Sequence, residues 1–307
     1  MQILQIICLV ETIFGLIPSV FIVTSNIQCW MKGEILNSTD HIVTALGFST
    51  VIYSVINIAI IVFYLSFPEM LLVTYLIQTV NCIAVYAFFS GGWLTTCLCF
   101  FFFMKMNNFK PGFFSWIKMK IDSLVPHLIL AIEGLSICLS ICLSVVYTIM
   151  YPKVKAVNST SPSVTNYNPS TNPFSLGILI VSFCFSSLIS IFTTGHIIVS
   201  LYKHTHRMRR NMGDGDGPSL KVHKRAACTL SSLFILYIIN YPLTMAAISS
   251  NDTLYWIYGI FIDSFVFLQS IILILGNSRL LQKCVNILNK CRQYICRNDG
   301  HVKTVSS

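Results

Sequence analysis

The stretch Leu254–Leu275 reads LYWIYGIFIDSFVFLQSIILIL, 22 residues with a single charged side chain, Asp263. A hydrocarbon layer about 30 Å thick is crossed by about 20 residues of α-helix, so this run has the length and composition of a membrane span. It ends at Gly276-Asn277-Ser278-Arg279, where the chain turns polar and basic. Six more runs of the same kind precede it, at 3–27, 42–67, 71–104, 124–150, 174–202 and 226–248. The third is long enough to continue past the membrane. Pro68, in Ser66-Phe67-Pro68-Glu69, breaks the second run from the third because proline cannot continue a helix unstrained. Ser249-Ser250-Asn251-Asp252 gives a turn signal between the sixth and the seventh.

Composition agrees. The 307 residues are 55% hydrophobic and 10% charged, with mean hydropathy +0.74, against about 25% charged residues in a soluble domain. The fold class read from this is an all-α membrane protein. It is a seven-transmembrane helix bundle with a short C-terminal amphipathic helix, forming one domain over residues 1–307 with a tail at 276–307. The net charge of +9 does not point to nucleic acid, because the basic residues lie between apolar runs rather than on one soluble face.

Those basic residues set the expected orientation. With the N-terminus outside, 18 of the 20 Lys and Arg fall on the cytoplasmic side and only Lys153 and Lys155 outside, as the positive-inside rule requires. The first run has no basic leader and contains Glu11, so it reads as a retained span rather than a cleaved signal. Sequons at Asn158 and Asn251 fall in outer loops and are the candidate glycosylation sites. Asn37 also starts a sequon but faces the cytoplasm, and Asn168 is followed by proline.

Most of the 12 cysteines lie within spans, and none in the outer loops, which excludes an extracellular disulfide framework. They read as small packing groups. After the last span, Leu280, Leu281, Cys284, Val285, Leu288, Cys291 and Ile295 recur at helical spacing, with Arg279, Lys283, Lys290 and Arg292 between them. That pattern suits a helix lying on an anionic leaflet, and S-palmitoylation at Cys284, Cys291 or Cys296 fits it.

The sequence contains no zinc-protease helix motif, no phosphate loop, no nucleophile elbow in context and no CxxC pair. We therefore expect no enzyme activity, no cofactor and no metal site. His204-Thr205-His206 sits in a basic run without nearby carboxylates. Glu11, Glu133 and Asp263 lie inside apolar runs, where an acid is costly and marks either a functional site or a tie between helices. For Glu133 the tie is the preferred reading; for Asp263 both stand. The seven unequal spans show no repeated halves, which argues against a transporter and for a receptor.

Four stretches then carry a family resemblance. Trp93–Leu98 and Phe102–Phe109 resemble WLATxLxxFYFLKIANF. Ser200–His204 with Met208 resembles SLWKHxxxM, Pro218–Ala226 resembles PSTxVHxxA, and Gln269–Leu280 resembles HSFILILGNSKLK. These are motifs of the taste receptor type 2 family, the bitter taste receptors among G-protein-coupled receptors. The sequence departs from the pattern at Ser19, where the first helix has Asn, at Thr50, where the second has Arg, and at Gln269, where the seventh has His. The vomeronasal type 1 pheromone receptors are the nearest rival family, and a small multi-pass transporter stands further off.

The resemblance implies a plasma-membrane receptor whose small bitter agonist enters between helices three, five, six and seven. It places Asn81, Ala84, Val85, Phe88 and Phe89 on the pocket face of the third span, Asn240 and Tyr241 in the sixth, and Gly259 and Asp263 in the seventh. Asn240 and Asp263 are the expected polar anchors; Phe88 either walls the pocket or only packs. A gustducin-type heterotrimeric G protein is the implied partner, with Lys105, His204, Met208, Lys221 and His223 as candidate coupling residues. The remaining implied partners are the lipid bilayer and a receptor oligomer.

Overall fold

The computed structural model describes residues 2–66, 74–106, 112–157, 173–212, 218–248 and 252–305. The sequons at Asn158 and Asn251 lie outside them. The described chain is helical: α1 Gln2–Met31, α2 Ser38–Ser66, α3 Thr74–Met106, α4 Phe113–Val157, α5 Pro173–Met212, α6 Pro218–Ile248, α7 Asp252–Gly276 and α8 Ser278–Val305. The first seven each contain a segment long and apolar enough to cross a membrane, and α8 is the C-terminal amphipathic helix. The expected fold class is the observed one.

Helix is forced on these segments, because a backbone group left unpaired in hydrocarbon costs several kcal/mol and a helix pairs all of them internally. Hydroxyls are absorbed the same way. Thr12, Ser19, Thr24, Ser49 and Thr50 each donate to the carbonyl four residues back, at 2.7–3.1 Å. Pro18 and Pro242 sit inside α1 and α6, as transmembrane helices tolerate.

The helices form a ring in which α1 packs on α2 and α7, α2 on α3, α3 on α4 and α5, α5 on α6, and α6 on α7. α3 is the central helix, with 67% of its span buried against 11% for α4 at the rim. A large apolar core fills the half of the bundle near α8, built on Ile22, Leu46, Leu94, Leu98, Phe101, Met104, Leu230 and Leu233. A smaller cluster of Cys8, Ile61 and Trp256 closes the opposite half. Cys97 and Cys99 are buried in the large core, whereas Cys138, Cys142, Cys184 and Cys228 are exposed on the bundle surface.

The α8 end carries the sharpest local signals. α1 stops at Gly33, whose φ of 75° is easy only for glycine. The amide of Glu34 then donates to the Cys29 carbonyl at 3.1 Å, closing the helix as a Schellman turn does. α2 opens with the return half of a capping box, in which Asp40 Oδ2 accepts from the Asn37 amide at 3.3 Å. Asn277 caps α8, its Oδ1 accepting from the amides of Arg279 and Leu280 at 3.1 and 3.3 Å. Leu280 and Cys284 pack into the core, while Val285, Ile287 and Leu288 remain exposed, leaving an apolar stripe for a lipid surface.

Candidate functional site

A cavity opens between α3, α5 and α6, with about 670 Å³ of atom-free space, its open mouth included. From α3 it is walled by Phe88, Phe89, Gly92, Trp93, Thr95, Thr96 and Cys99. From α5 come Phe183, Ser182, Ser186 and Ser190, and from α6 Phe234, Tyr237, Asn240 and Tyr241. None of its lining residues is charged.

Most of its polar groups already have partners. Trp93 Nε1 donates to Ser182 Oγ at 3.3 Å, Thr96 and Ser190 share a hydroxyl bond of 3.1 Å, and Tyr237 OH donates to the Gly91 carbonyl at 3.1 Å. The Tyr241 ring stacks on Phe183, with centroids 3.3 Å apart and planes 8° from parallel. Two buried atoms stand out: Asn240 Oδ1 and Tyr241 OH have no partner among the described residues. A buried polar atom left so costs about 1–3 kcal/mol, which a ligand group bound there would recover.

Of the residues expected at the pocket, Phe88, Phe89, Asn240 and Tyr241 come together around this cavity. Asn81, Ala84, Val85, Gly259 and Asp263 do not line it. Asn81 is exposed on α3, and a side chain at Gly259 would meet Cys8 Sγ of α1 at 3.6 Å. Asp263, 3% exposed, turns toward α1 and α2: Oδ2 accepts from Thr12 Oγ1 and Oδ1 from Asn57 Nδ2, both at 3.0 Å. Asp263→Leu removes the acceptors of both Thr12 and Asn57, so a loss of about 1–3 kcal/mol in stability is expected. Thermal unfolding of the purified variant that matched the parent protein would contradict this placement.

Glu133 is a tie between helices. Its carboxylate accepts from Tyr86 OH at 2.7 Å and Ser90 Oγ at 3.0 Å, and Ser90 in turn meets Ser49 of α2 at 2.6 Å. Glu11 is half-buried on α1, and its Oε2 has no partner among the described residues.

The α5 wall was not read from the sequence, although a signal existed: Ser182, Ser186 and Ser190 recur every four residues in an apolar run, which puts three hydroxyls on one helical face.

At the α8 end, Lys105 lies exposed over the Phe101 ring, 3.8 Å from Asp122. An exposed pair of that kind contributes little and leaves Lys105 accessible. His204 and Met208 belong to α5, and Lys221 and His223 to α6; their side chains lie outside the described set. Among the described residues no group of acids, histidines and cysteines has the arrangement to hold a metal.

A polar cluster joins α1, α2 and α8 at this end, with Asn277 between α7 and α8. Arg279 reaches Asn26 Oδ1 of α1 at 2.7 Å and Asp40 Oδ2 of α2 at 3.2 Å. Asp40 Oδ1 accepts from Asn277 Nδ2 at 2.6 Å, and Asn26 Nδ2 donates to Thr44 at 2.8 Å. Lys283 of α8 donates to the Ser25 carbonyl at 2.9 Å.

Comparison with known proteins places this geometry. Residues 1–292 match the family model described as taste receptor protein (TAS2R). The chain is 29% identical over 306 residues to taste receptor type 2 member 7 of Rattus norvegicus, covering 94% of each. It is 28% identical to member 8 of Gorilla gorilla gorilla, covering 93% of this chain and 94% of that one. It is 26% identical to member 9 of Homo sapiens, covering 95% of both.

Proposed function

The chain belongs to the TAS2R family, the bitter taste receptors among G-protein-coupled receptors, and from that premise we propose that it binds small, neutral bitter compounds in the α3–α5–α6 cavity. The observation that carries this reading is the pair of unpartnered buried atoms, Asn240 Oδ1 and Tyr241 OH, in an otherwise aromatic and uncharged wall. An ammonium ion entering such a wall would lose its hydration and find no acid to compensate. A neutral donor facing Asn240, with an apolar body against Phe88 and Phe183, loses little.

The distribution of Lys and Arg supports an orientation with the start of α1 outside and α8 in the cytoplasm, and membership of the receptor family supports a plasma-membrane location. Agonist entering from the extracellular side stabilises the conformation whose cytoplasmic end opens. A gustducin-type heterotrimeric G protein then engages Lys105, His204, Met208, Lys221 and His223. α8 rests its exposed stripe on the inner leaflet.

The test is calcium release in cells supplied with a gustatory-type G protein and challenged with a bitter panel. A saturable response that vanishes without the G protein is expected. Asn240→Leu, nearly isosteric, is expected to weaken it about tenfold, the value of one buried hydrogen bond. Silence across the panel despite normal surface delivery would refute the receptor reading, and a response indifferent to Asn240→Leu would move the ligand out of this cavity.

A further inference from the structure

A second cavity lies between α2, α3, α6 and α7, with about 430 Å³ of atom-free space. It shares Phe88, Tyr237 and Asn240 with the first, so those three side chains form a partition between the two. No charged residue lines it. Three of its hydroxyls are engaged elsewhere: Ser49 with Ser90 at 2.6 Å and with the Ala45 carbonyl at 3.1 Å, Thr50 with the Leu46 carbonyl at 2.8 Å, and Tyr237 with the Gly91 carbonyl at 3.1 Å.

Two amide atoms in this wall have no partner among the described residues. They are Asn240 Oδ1, on a residue 6% exposed, and Gln269 Nε2, on a residue 4% exposed. One is an acceptor on α6 and the other a donor on α7. We propose that this cavity is a second binding site for a neutral group presenting an N–H beside a C=O, as a lactam, carboxamide or urea does. The N–H donates to Asn240 Oδ1, and the carbonyl accepts from Gln269 Nε2.

An ion is disfavoured, because no counter-charge lines the wall and a buried unpaired charge costs far more than an unpaired amide. An apolar group is disfavoured, because it leaves both amides unmet. Since Asn240 lines both cavities, this site extends the one assigned above and rests on that reading for its place in signalling, though not for its chemistry.

The experiment uses the purified full-length protein and three six-membered rings: δ-valerolactam, N-methylvalerolactam without the N–H, and δ-valerolactone without the nitrogen. The expected result is saturable thermal stabilisation by valerolactam, at least about tenfold weaker for either analogue, in line with one lost buried hydrogen bond. Gln269→Leu should reduce the lactam effect to the same degree. A Gln269→Met variant should also lose it, since a thioether cannot donate.

Equal stabilisation by all three rings, or lactam binding unchanged in both Gln269 variants, would overturn the site and leave the cavity to water. The two readings fail separately. Bitter-evoked calcium with no Gln269-dependent lactam binding sinks only the second site. Gln269-dependent lactam binding with no evoked calcium supports it and sinks the receptor reading.

Discussion

Arg279→Ala lowers the thermal stability of the purified protein by about 3–5 kcal/mol, the cost of leaving a buried charge without its partner. Asp40 makes the loss severe, because its side chain is 5% exposed and its carboxylate cannot reach water by a rotamer change alone. With the guanidinium gone, the carboxylate keeps only the Asn277 amide at 2.6 Å and the Asn37 backbone amide at 3.3 Å. Asn26 loses its Arg279 contact in the same step. Against a total of about 5–15 kcal/mol for a folded domain, this predicts a collapse of surface delivery as well. Arg279→Lys recovers only part, since one ammonium cannot hold the Asn26 oxygen and the Asp40 carboxylate with the geometry of a planar fork. Asp40→Asn in the Arg279→Ala background recovers more, because it removes the stranded charge. Wild-type unfolding in Arg279→Ala would mean that the cluster carries no stability.

That cluster shows where the sequence was informative. At Ser19 and Thr50 the chain lacks the Asn and Arg of the family pattern. In the structure Ser19 meets the Ser270 hydroxyl at 2.7 Å, and Thr50 bonds back to its own helix. Ser19, and Asp263 with Thr12 and Asn57, link α7 to its neighbours, and a further linkage lies nearer α8, on Asn26, Asp40, Asn277 and Arg279. Asp40 was not singled out in the sequence, since one acid in a short polar loop reads as solvated. Its role depends on α8 folding back beneath α1 and α2, a contact that local pattern does not encode.

The seven spans were legible because length and apolarity alone define a crossing, and α8 was legible because its apolar and basic positions segregate by face. The faces within the bundle were much less so. In water an apolar stripe marks the buried side of a helix, but a span meets apolar surroundings on both sides, lipid and core alike. Phe88 on the cavity wall and Phe185 on the exposed face look the same in sequence. Polar residues break the symmetry: Thr95, Thr96, Ser182, Ser186 and Ser190 all turn inward to the cavity. Asp263 also turns inward, but toward Thr12 and Asn57 on the other side of α7. A polar residue thus marks the interior of the bundle without saying which neighbour it meets.

The same close packing makes Gly276 the second sensitive point. It ends α7 opposite Thr229 of α6, and a Cβ built there would overlap the Thr229 hydroxyl and sit 2.6 Å from Cγ2 and 3.0 Å from Cβ. Rotation of the threonine does not relieve this, because its own Cβ is already too close and its hydroxyl is held by the Arg225 carbonyl at 2.9 Å. Gly276→Ala therefore forces α6 and α7 apart at the α8 end, at an overpacking cost of about 1–3 kcal/mol. The strain falls on the conformation in which the two helices are closest. Any conformation with α6 displaced outward escapes it, and α6 is the helix on which Lys221 and His223 are proposed to meet the G protein. Each 1.4 kcal/mol of selective strain shifts the ratio of closed to open states about tenfold. The expected phenotype is paired: lower thermal stability, and agonist-free signalling raised several-fold per receptor at the surface. Thr229→Gly in the same chain removes the obstructing Cβ and should reverse both effects. Ser278 reports on the same junction, since Arg225 of α6 donates to its hydroxyl at 2.8 Å; Ser278→Ala frees α6 without adding bulk and should raise basal signalling less than Gly276→Ala does. Parent-level stability and basal signalling in Gly276→Ala would show that the helices accommodate the methyl group without parting, and that the contact does not hold the closed state.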